Sequence, residues 1–244
     1  MGLEIHAIKL AESITSESAL LFLGDPARKR RNAYYSFYIK GSESPILIDT
    51  FMKNPTSPKW GNPLRVRPGW SFERQLGRLG VKREDVSAII HTHLHYDHSG
   101  NDDMFPNAKI YIQRAELEYA MAARDPISLK VYNKSDINDF GGKFRDRLVL
   151  LDGDKEIVPG VRCVRVGAHS VGSQAVYVET SRGTAILTGD ACFVYDNLEK
   201  RIPTGIFFRY DESMDAIERF RREGKFVIVS HDPRVMQRHA RVPP

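Results

Sequence analysis

Four of the chain's eight histidines fall in one short stretch, His91-Thr92-His93-Leu94-His95-Tyr96-Asp97-His98, directly after the β-branched run Val86 to Ile90. At the chain's composition a His-x-His-x-Asp-His arrangement arises by chance roughly 0.0006 times, so the crowding needs a chemical explanation. If extended geometry carries on past Ile90, His93 and His95 lie two residues apart, turn their rings to the same side, and can meet one cation. Asp97 and His98 follow once the chain turns, and can serve a second cation a few ångströms away. Imidazole nitrogen and carboxylate oxygen suit zinc first, with manganese, cobalt or iron also suited. These residues alone cannot close two sites, so further ligands must arrive from other strand ends. Three candidates follow apolar runs closely: His169 after Val161 to Val166, Asp190 after Thr184 to Thr188, and His231 after Phe226 to Val229. Small neighbours such as Gly167, Ala168 and Gly189 allow close backbone approach there.

The rest of the chain alternates strand and helix signals. Strands are expected at Glu4–Leu10, Tyr34–Ile39, Pro45–Ile48, Lys109–Gln113, Arg147–Leu151, Glu156–Val158 and Gln174–Glu179, besides those that precede the ligand candidates. Ser71 caps a helix running to about Leu79, a second helix spans about Arg114–Ala123, and a third Ser213–Arg222, with an irregular stretch after Pro126. The pattern predicts one α/β domain over residues 1–244, a four-layer αββα sandwich with two pseudo-equivalent halves of about 1–145 and 146–244. The longest apolar run, Ala19 to Leu23, is far too short to cross a bilayer, and the N-terminus lacks the apolar core of a secretory signal. Cys163 and Cys192 have no pair spacing, so a reducing, cytoplasmic setting is expected. The net charge of +5 favours anionic substrates or products; the basic run Arg28 to Arg31 is read as a solvated loop, and neither a nucleic-acid nor a membrane partner is expected.

The ligand set resembles the metallo-β-lactamase superfamily, in which His-x-His-x-Asp-His and a later His, Asp and His bind two metals between two sheets. The resemblance runs from Leu47-Ile48-Asp49-Thr50 to Ser230-His231-Asp232. It implies that His93, His95 and His169 hold one divalent ion, that Asp97, His98 and His231 hold the other, that Asp190 bridges them, and that Asp49 orients ligands without binding metal. It also implies hydrolysis by a hydroxide shared between the metals, with Asp97 steering the proton to the leaving group. Asp in place of Cys at position 190 argues against the zinc β-lactamases, and the chain most resembles the N-acyl-homoserine lactonase branch, whose substrates carry a lactone carbonyl. That branch usually has a tyrosine where this chain has Phe193, and Tyr195 is the candidate replacement. Phe51, Met52, Trp60, Phe193, Phe207 and Phe208 are candidates to line an apolar substrate pocket. Alternative readings are a phosphodiesterase or an aryl-ester or thioester hydrolase of the same superfamily, and a mononuclear iron persulfide dioxygenase. A homodimer is compatible with all of them.

Overall fold

The computed structural model describes residues 2–43, 45–55 and 64–243. Its strands are β1 (Glu4–Ser16), β2 (Lys29–Lys40), β3 (Ile46–Ile48), β4 (Ala88–Ile90), β5 (Lys109–Gln113), β6 (Leu148–Leu151), β7 (Lys155–Val158), β8 (Val161–Arg165), β9 (Gln174–Thr180), β10 (Gly183–Leu187), β11 (Phe226–Ile228) and β12 (Arg241–Val242). The helices are α1 (Glu17–Leu20), α2 (Phe72–Arg78), α3 (Arg114–Ala122), α4 (Ser128–Val131), α5 (Lys134–Gly141), α6 (Tyr195–Lys200), α7 (Tyr210–Glu223) and α8 (Val235–Arg238). None of the described helices is long and apolar enough to cross a membrane.

Two sheets form, in the order β12-β1-β2-β3-β4-β5-β6 and β11-β10-β9-β8-β7. β3 through β6 pair in parallel, and so do β10 and β11; α2, the loop 91–108, α3–α5 and α6–α7 in turn carry the chain back between them. Strand alternation gives the first sheet two apolar faces. Ile46, Ile48 and Ile90 face inward to meet Cys163, Val176 and Val178 of the second sheet. Leu47, Ile89, Ile110 and Ile112 face outward and are covered by Phe72 and Leu76 of α2, Leu117 of α3, and Ile137 and Phe140 of α5. Ala216, Ile217 and Phe220, at helical spacing on α7, pack on the second sheet. The result is the expected four-layer αββα sandwich.

The seam between the halves differs from the expected one near residue 145. β6 pairs with β5, so the first sheet continues to Leu151, and β12 returns the chain's end to the first sheet beside β1. β1 and β2 run much longer than their alternating apolar cores suggest. They pair from Glu4↔Lys40 to Ser16↔Lys29, whereas β3 pairs only with Phe37, Tyr38 and Ile39, so the far end of the hairpin overhangs the sheet. A register shift between Lys9 and Ala11 marks where it bends. The basic run Arg28 to Arg31 is solvent-exposed as expected at Arg28, Lys29 and Arg31, but it belongs largely to this overhanging strand and is not a loop. Arg30 lies 2.9 Å from Glu17, and Arg31 lies 3.3 Å from Glu12. The stretch after Pro126 is likewise ordered as α4 and α5, whose brevity hid their periodicity; Asn133 caps α5 by accepting from the Ser135 N–H.

Candidate metal centre

Strand ends converge at one edge of the sandwich. β3 runs into Asp49, β4 into His91 and His93, β8 into His169, β10 into Asp190 and β11 into His231, the crevice position where parallel α/β sheets commonly bind ligands. The seven ligand candidates come together in three overlapping groups, each with ligand atoms within 4.8 Å: His93, His95 and His169; His93, His98 and Asp190; Asp97, His98 and His231. Asp190 stands between them. Its Oδ2 lies 3.6 Å from His93 Nε2 and 3.4 Å from His169 Nε2, and its Oδ1 lies 3.2 Å from the Nε2 atoms of both His98 and His231. Asp97 Oδ2 approaches the second pair at 3.9 and 3.7 Å.

The residues fit a pair of cations. His169 Nδ1–H donates to the Ile206 carbonyl at 2.7 Å, His231 Nδ1–H to the Ala33 carbonyl at 2.9 Å, and His98 Nδ1–H to Asp49 at 2.7 Å. Each bond turns Nε2 toward the cluster. Those atoms then face other nitrogens: His169 Nε2 is 2.9 Å from His95 Nδ1, and His98 Nε2 is 3.4 Å from His231 Nε2. His93 Nε2 is buried with no hydrogen-bond partner among the described residues. Burial holds His93 and His95 well below the ordinary imidazole range, as neutral donors. Burial works against the charge of Asp190, but His98 and His231 hold its carboxyl well below the usual range.

A second tier holds these groups in place. Asp49, itself in the left-handed region at φ 60°, accepts from the Thr92 N–H and hydroxyl, both at 2.8 Å, besides His98. His91 takes no part in the three groups. It is wholly buried, 2.6 Å from Asp102 and 3.6 Å from Asp49; burial alone would lower its pKa, but these carboxylates raise it to about 9. Gly189 has φ +51°, and a Cβ there would sit 2.7 Å from Thr92.

Sequence reasoning missed Glu116 of α3, which is fully buried. Its Oε1 accepts from the Leu94 N–H and the Tyr132 hydroxyl, both at 3.0 Å; its Oε2 accepts from the Ser170 hydroxyl at 2.7 Å and the Gly172 N–H at 2.9 Å. One carboxylate thus ties the loop of His93 and His95 to the loop of His169. Gly172 permits it, since a Cβ there would fall 2.4 Å from the Glu116 nitrogen. A lone glutamate in a helix gives no sign of this role in sequence.

Above the cluster opens a pocket of about 180 Å³, bordered by His95, Asp97, His169, Asp190 and His231 on its floor. Phe193 is in its wall, its ring 5.2 Å from both the His169 and His231 rings. Tyr195 is not brought there. As the first residue of α6 it packs into the core between the Arg234 and Arg238 guanidiniums, because the chain after Asp190 turns into a helix two residues beyond Phe193. Phe51 is buried one ring behind, 5.8 Å from Tyr34, with Met52 beside it in the outer core. Phe207 packs on Phe22, and Phe208 is half exposed against Tyr119, outside the pocket wall. Trp60 lies outside the described residues. The wall holds residues not anticipated: Thr15, Asn32 and Tyr34 of the overhanging hairpin, with Ala19 and Leu20 of α1.

The pattern of the Metallo-beta-lactamase superfamily matches residues 30–231, from the overhanging hairpin to the last ligand candidate. The chain belongs to that superfamily. Its clustered His and Asp side chains form the superfamily's dinuclear metal site. It is 31% identical over 217 residues to an N-acyl homoserine lactonase of Bacillus cereus, covering 81% of this chain and 80% of that one. An N-acyl homoserine lactonase of Azorhizobium caulinodans is 28% identical over 166 residues, covering 65% and 63%. Among solved structures, an N-acyl homoserine lactone hydrolase with its product N-hexanoyl-L-homoserine at the catalytic metal centre superposes with a TM-score of 0.81 at 24% identity, over 97% of this chain and 96% of that one. A dizinc quorum-quenching lactonase superposes with a TM-score of 0.72 at 15% identity, over 95% and 88%. Both share the fold.

Proposed function

We propose that this protein is a dinuclear metallohydrolase that opens lactone rings, with N-acyl-homoserine lactones as the substrate class. The observation that carries the reading is Asp190, one oxygen turned to each of two ligand clusters, beneath a pocket in a chain similar to N-acyl homoserine lactonases. His93, His95 and His169 would hold one ion, Asp97, His98 and His231 the other, and Asp190 would touch both. Zinc best suits this neutral-imidazole and carboxylate set. Two such ions supply Lewis acidity towards a carbonyl and acidify a water at neutral pH.

The chain's own residues do the rest. Hydrolysis forms a bond from water oxygen to the lactone carbonyl carbon, breaks the ring C–O bond and leaves a carboxylate and an alcohol. The departing ring oxygen needs a proton. Asp97 is the carboxylate at the pocket floor that can carry it, and it is less enclosed than Asp190. Phe193, Leu20, Ala19 and Val131 give the pocket an apolar lining suited to an acyl chain and to keeping bulk water off the reacting carbon. Both cysteines are buried free thiols, which suits a reducing, cytoplasmic compartment.

Zinc-loaded protein should release protons rapidly from N-hexanoyl-homoserine lactone, with kcat/KM at least about 100-fold above that for an aryl ester or for bis(p-nitrophenyl) phosphate. Preference for the phosphodiester, from protein verified to hold two ions, would overturn the lactonase reading in favour of a phosphodiesterase.

A further inference from the structure

The floor of the pocket is built from the loops that follow strand ends, and beyond the metal ligands and Tyr96 its polar lining comes from the overhanging hairpin: Thr15, Asn32 and Tyr34. Ser13 pairs directly with Asn32 across the β1–β2 ladder, and Tyr34 lies two residues on, so Ser13, Asn32 and Tyr34 share one face of the overhang. That face meets the metal cluster. The Tyr34 ring stands edge-on to the His231 ring at 5.2 Å, and Asn32 and Tyr34 both border the pocket. The hairpin is also fixed to the floor by its backbone: the Ala33 N–H donates to the His231 carbonyl at 2.9 Å, and the Ala33 carbonyl accepts from His231 Nδ1–H. The wall therefore cannot shift without moving a ligand.

Two features of this wall point to a bound molecule. The Tyr34 hydroxyl lies 3.3 Å from Ser13 Oγ and within hydrogen-bond reach of the Asn32 side chain, both of which can donate to the phenol oxygen. Its own hydrogen is then left for a pocket acceptor. Beside it, Asn32 Oδ1 is buried without a hydrogen-bond partner among the described residues. A buried carbonyl oxygen left unpaired carries an uncompensated desolvation cost, which a ligand N–H would remove. One donor and one acceptor, side by side above the metal cluster, match a ring carbonyl oxygen and a neighbouring amide N–H.

We infer that Tyr34 donates a hydrogen bond to the lactone carbonyl oxygen and that Asn32 Oδ1 accepts from the amide N–H of an N-acyl substituent, making the overhanging hairpin the element that selects N-acylamino lactones over plain ones. The inference rests on the lactonase reading and deepens it. Tyr34 touches an oxygen that gains negative charge as the carbonyl is attacked, so it acts on the chemical step. Asn32 touches only the substituent and acts on selection. Phe193, elsewhere in the pocket wall, offers no hydrogen-bond donor.

The test compares N-hexanoyl-homoserine lactone with a γ-alkyl lactone of matched length, which lacks the amide, on metal-loaded wild type, Tyr34→Phe and Asn32→Ala. Tyr34→Phe removes one oxygen and keeps the ring that packs on His231. It should lower kcat for both lactones by about 10- to 100-fold with metal content unchanged. Asn32→Ala should lower kcat/KM for the acylated lactone about tenfold more than for the plain one, mainly through KM. It should also weaken binding of the ring-opened product N-hexanoyl-homoserine about tenfold by titration calorimetry, a readout independent of turnover. Wild-type kinetics in Tyr34→Phe, or equal losses on both lactones in Asn32→Ala, would overturn the hairpin's role while leaving the lactonase reading intact. Turnover of neither lactone by metal-loaded wild type would instead overturn the lactonase reading, and this inference with it.

Discussion

The floor and the overhanging wall of the pocket are built on opposite plans. On the floor the ligand candidates lie in the loops that follow strand ends, and three of the imidazoles are set by a second residue: Asp49 for His98, the Ala33 carbonyl for His231, the Ile206 carbonyl for His169. On the wall, Tyr34 and Asn32 sit in the middle of a strand, placed by ladder register and by the Ala33 backbone bonds to His231 between them. The floor is over-determined, as a site for metal chemistry must be. The wall can change its side chains without disturbing the backbone that carries them.

The largest expected effect breaks the floor. Asp190→Asn removes the one carboxylate shared by both clusters and should cut lactone opening at least about 1000-fold, measured by proton release at fixed metal concentration. Glu116→Gln leaves the floor's ligands in place but mismatches two of the four donors that this carboxylate gathers. Metal affinity of the His93, His95 and His169 group should fall about 10- to 100-fold, measured by competition with a chelator, and unfolding free energy by about 2–3 kcal/mol. Phe193→Tyr sharpens the contrast, because it adds a hydroxyl donor to the pocket wall beside the His169 and His231 rings. It should recover about tenfold in kcat on the Tyr34→Phe background and gain much less on the wild type.

The smallest effect concerns the join between wall and floor. Asp196 lies 2.7 Å from Arg234, 3.0 Å from Lys200 and 3.6 Å from Arg30 of the hairpin. Burial works against its charge, but these cations lower its pKa from 3.8 to about 2. A lowered carboxylate stabilises the fold above its ordinary pKa, and that contribution is lost as pH falls through about 2. After solvent screening it amounts to about 1 kcal/mol. Asp196→Asn should therefore lower stability by that much in urea melts at pH 7 and by only a small part of it near pH 2.

The contrast also explains what was legible in the chain. His93, His95, Asp97 and His98 are close in sequence, and His169, Asp190 and His231 each end an apolar run, so local spacing exposes the floor. The αββα layering was legible for the same reason, since strand and helix periods repeat over short windows. Tyr34, Asn32 and Glu116 were not, because their roles come from partners far along the chain: His231 for the hairpin, Leu94 and Gly172 for the glutamate. Tyr195 misled because distance from Asp190 along the chain says nothing about the direction of a side chain once α6 begins. The seam near residue 145 misled because β6 reads as a strand wherever it pairs, and only its parallel partner β5 assigns it to the first sheet.

The central claim is that one chain holds two ions in separate but bridged clusters. Mass spectrometry of the native protein, calibrated by elemental analysis, should find two divalent ions per chain in the wild type and one in each of His169→Ala and His231→Ala. A single iron per chain, undiminished in His231→Ala, would contradict the dinuclear account and favour a mononuclear dioxygenase.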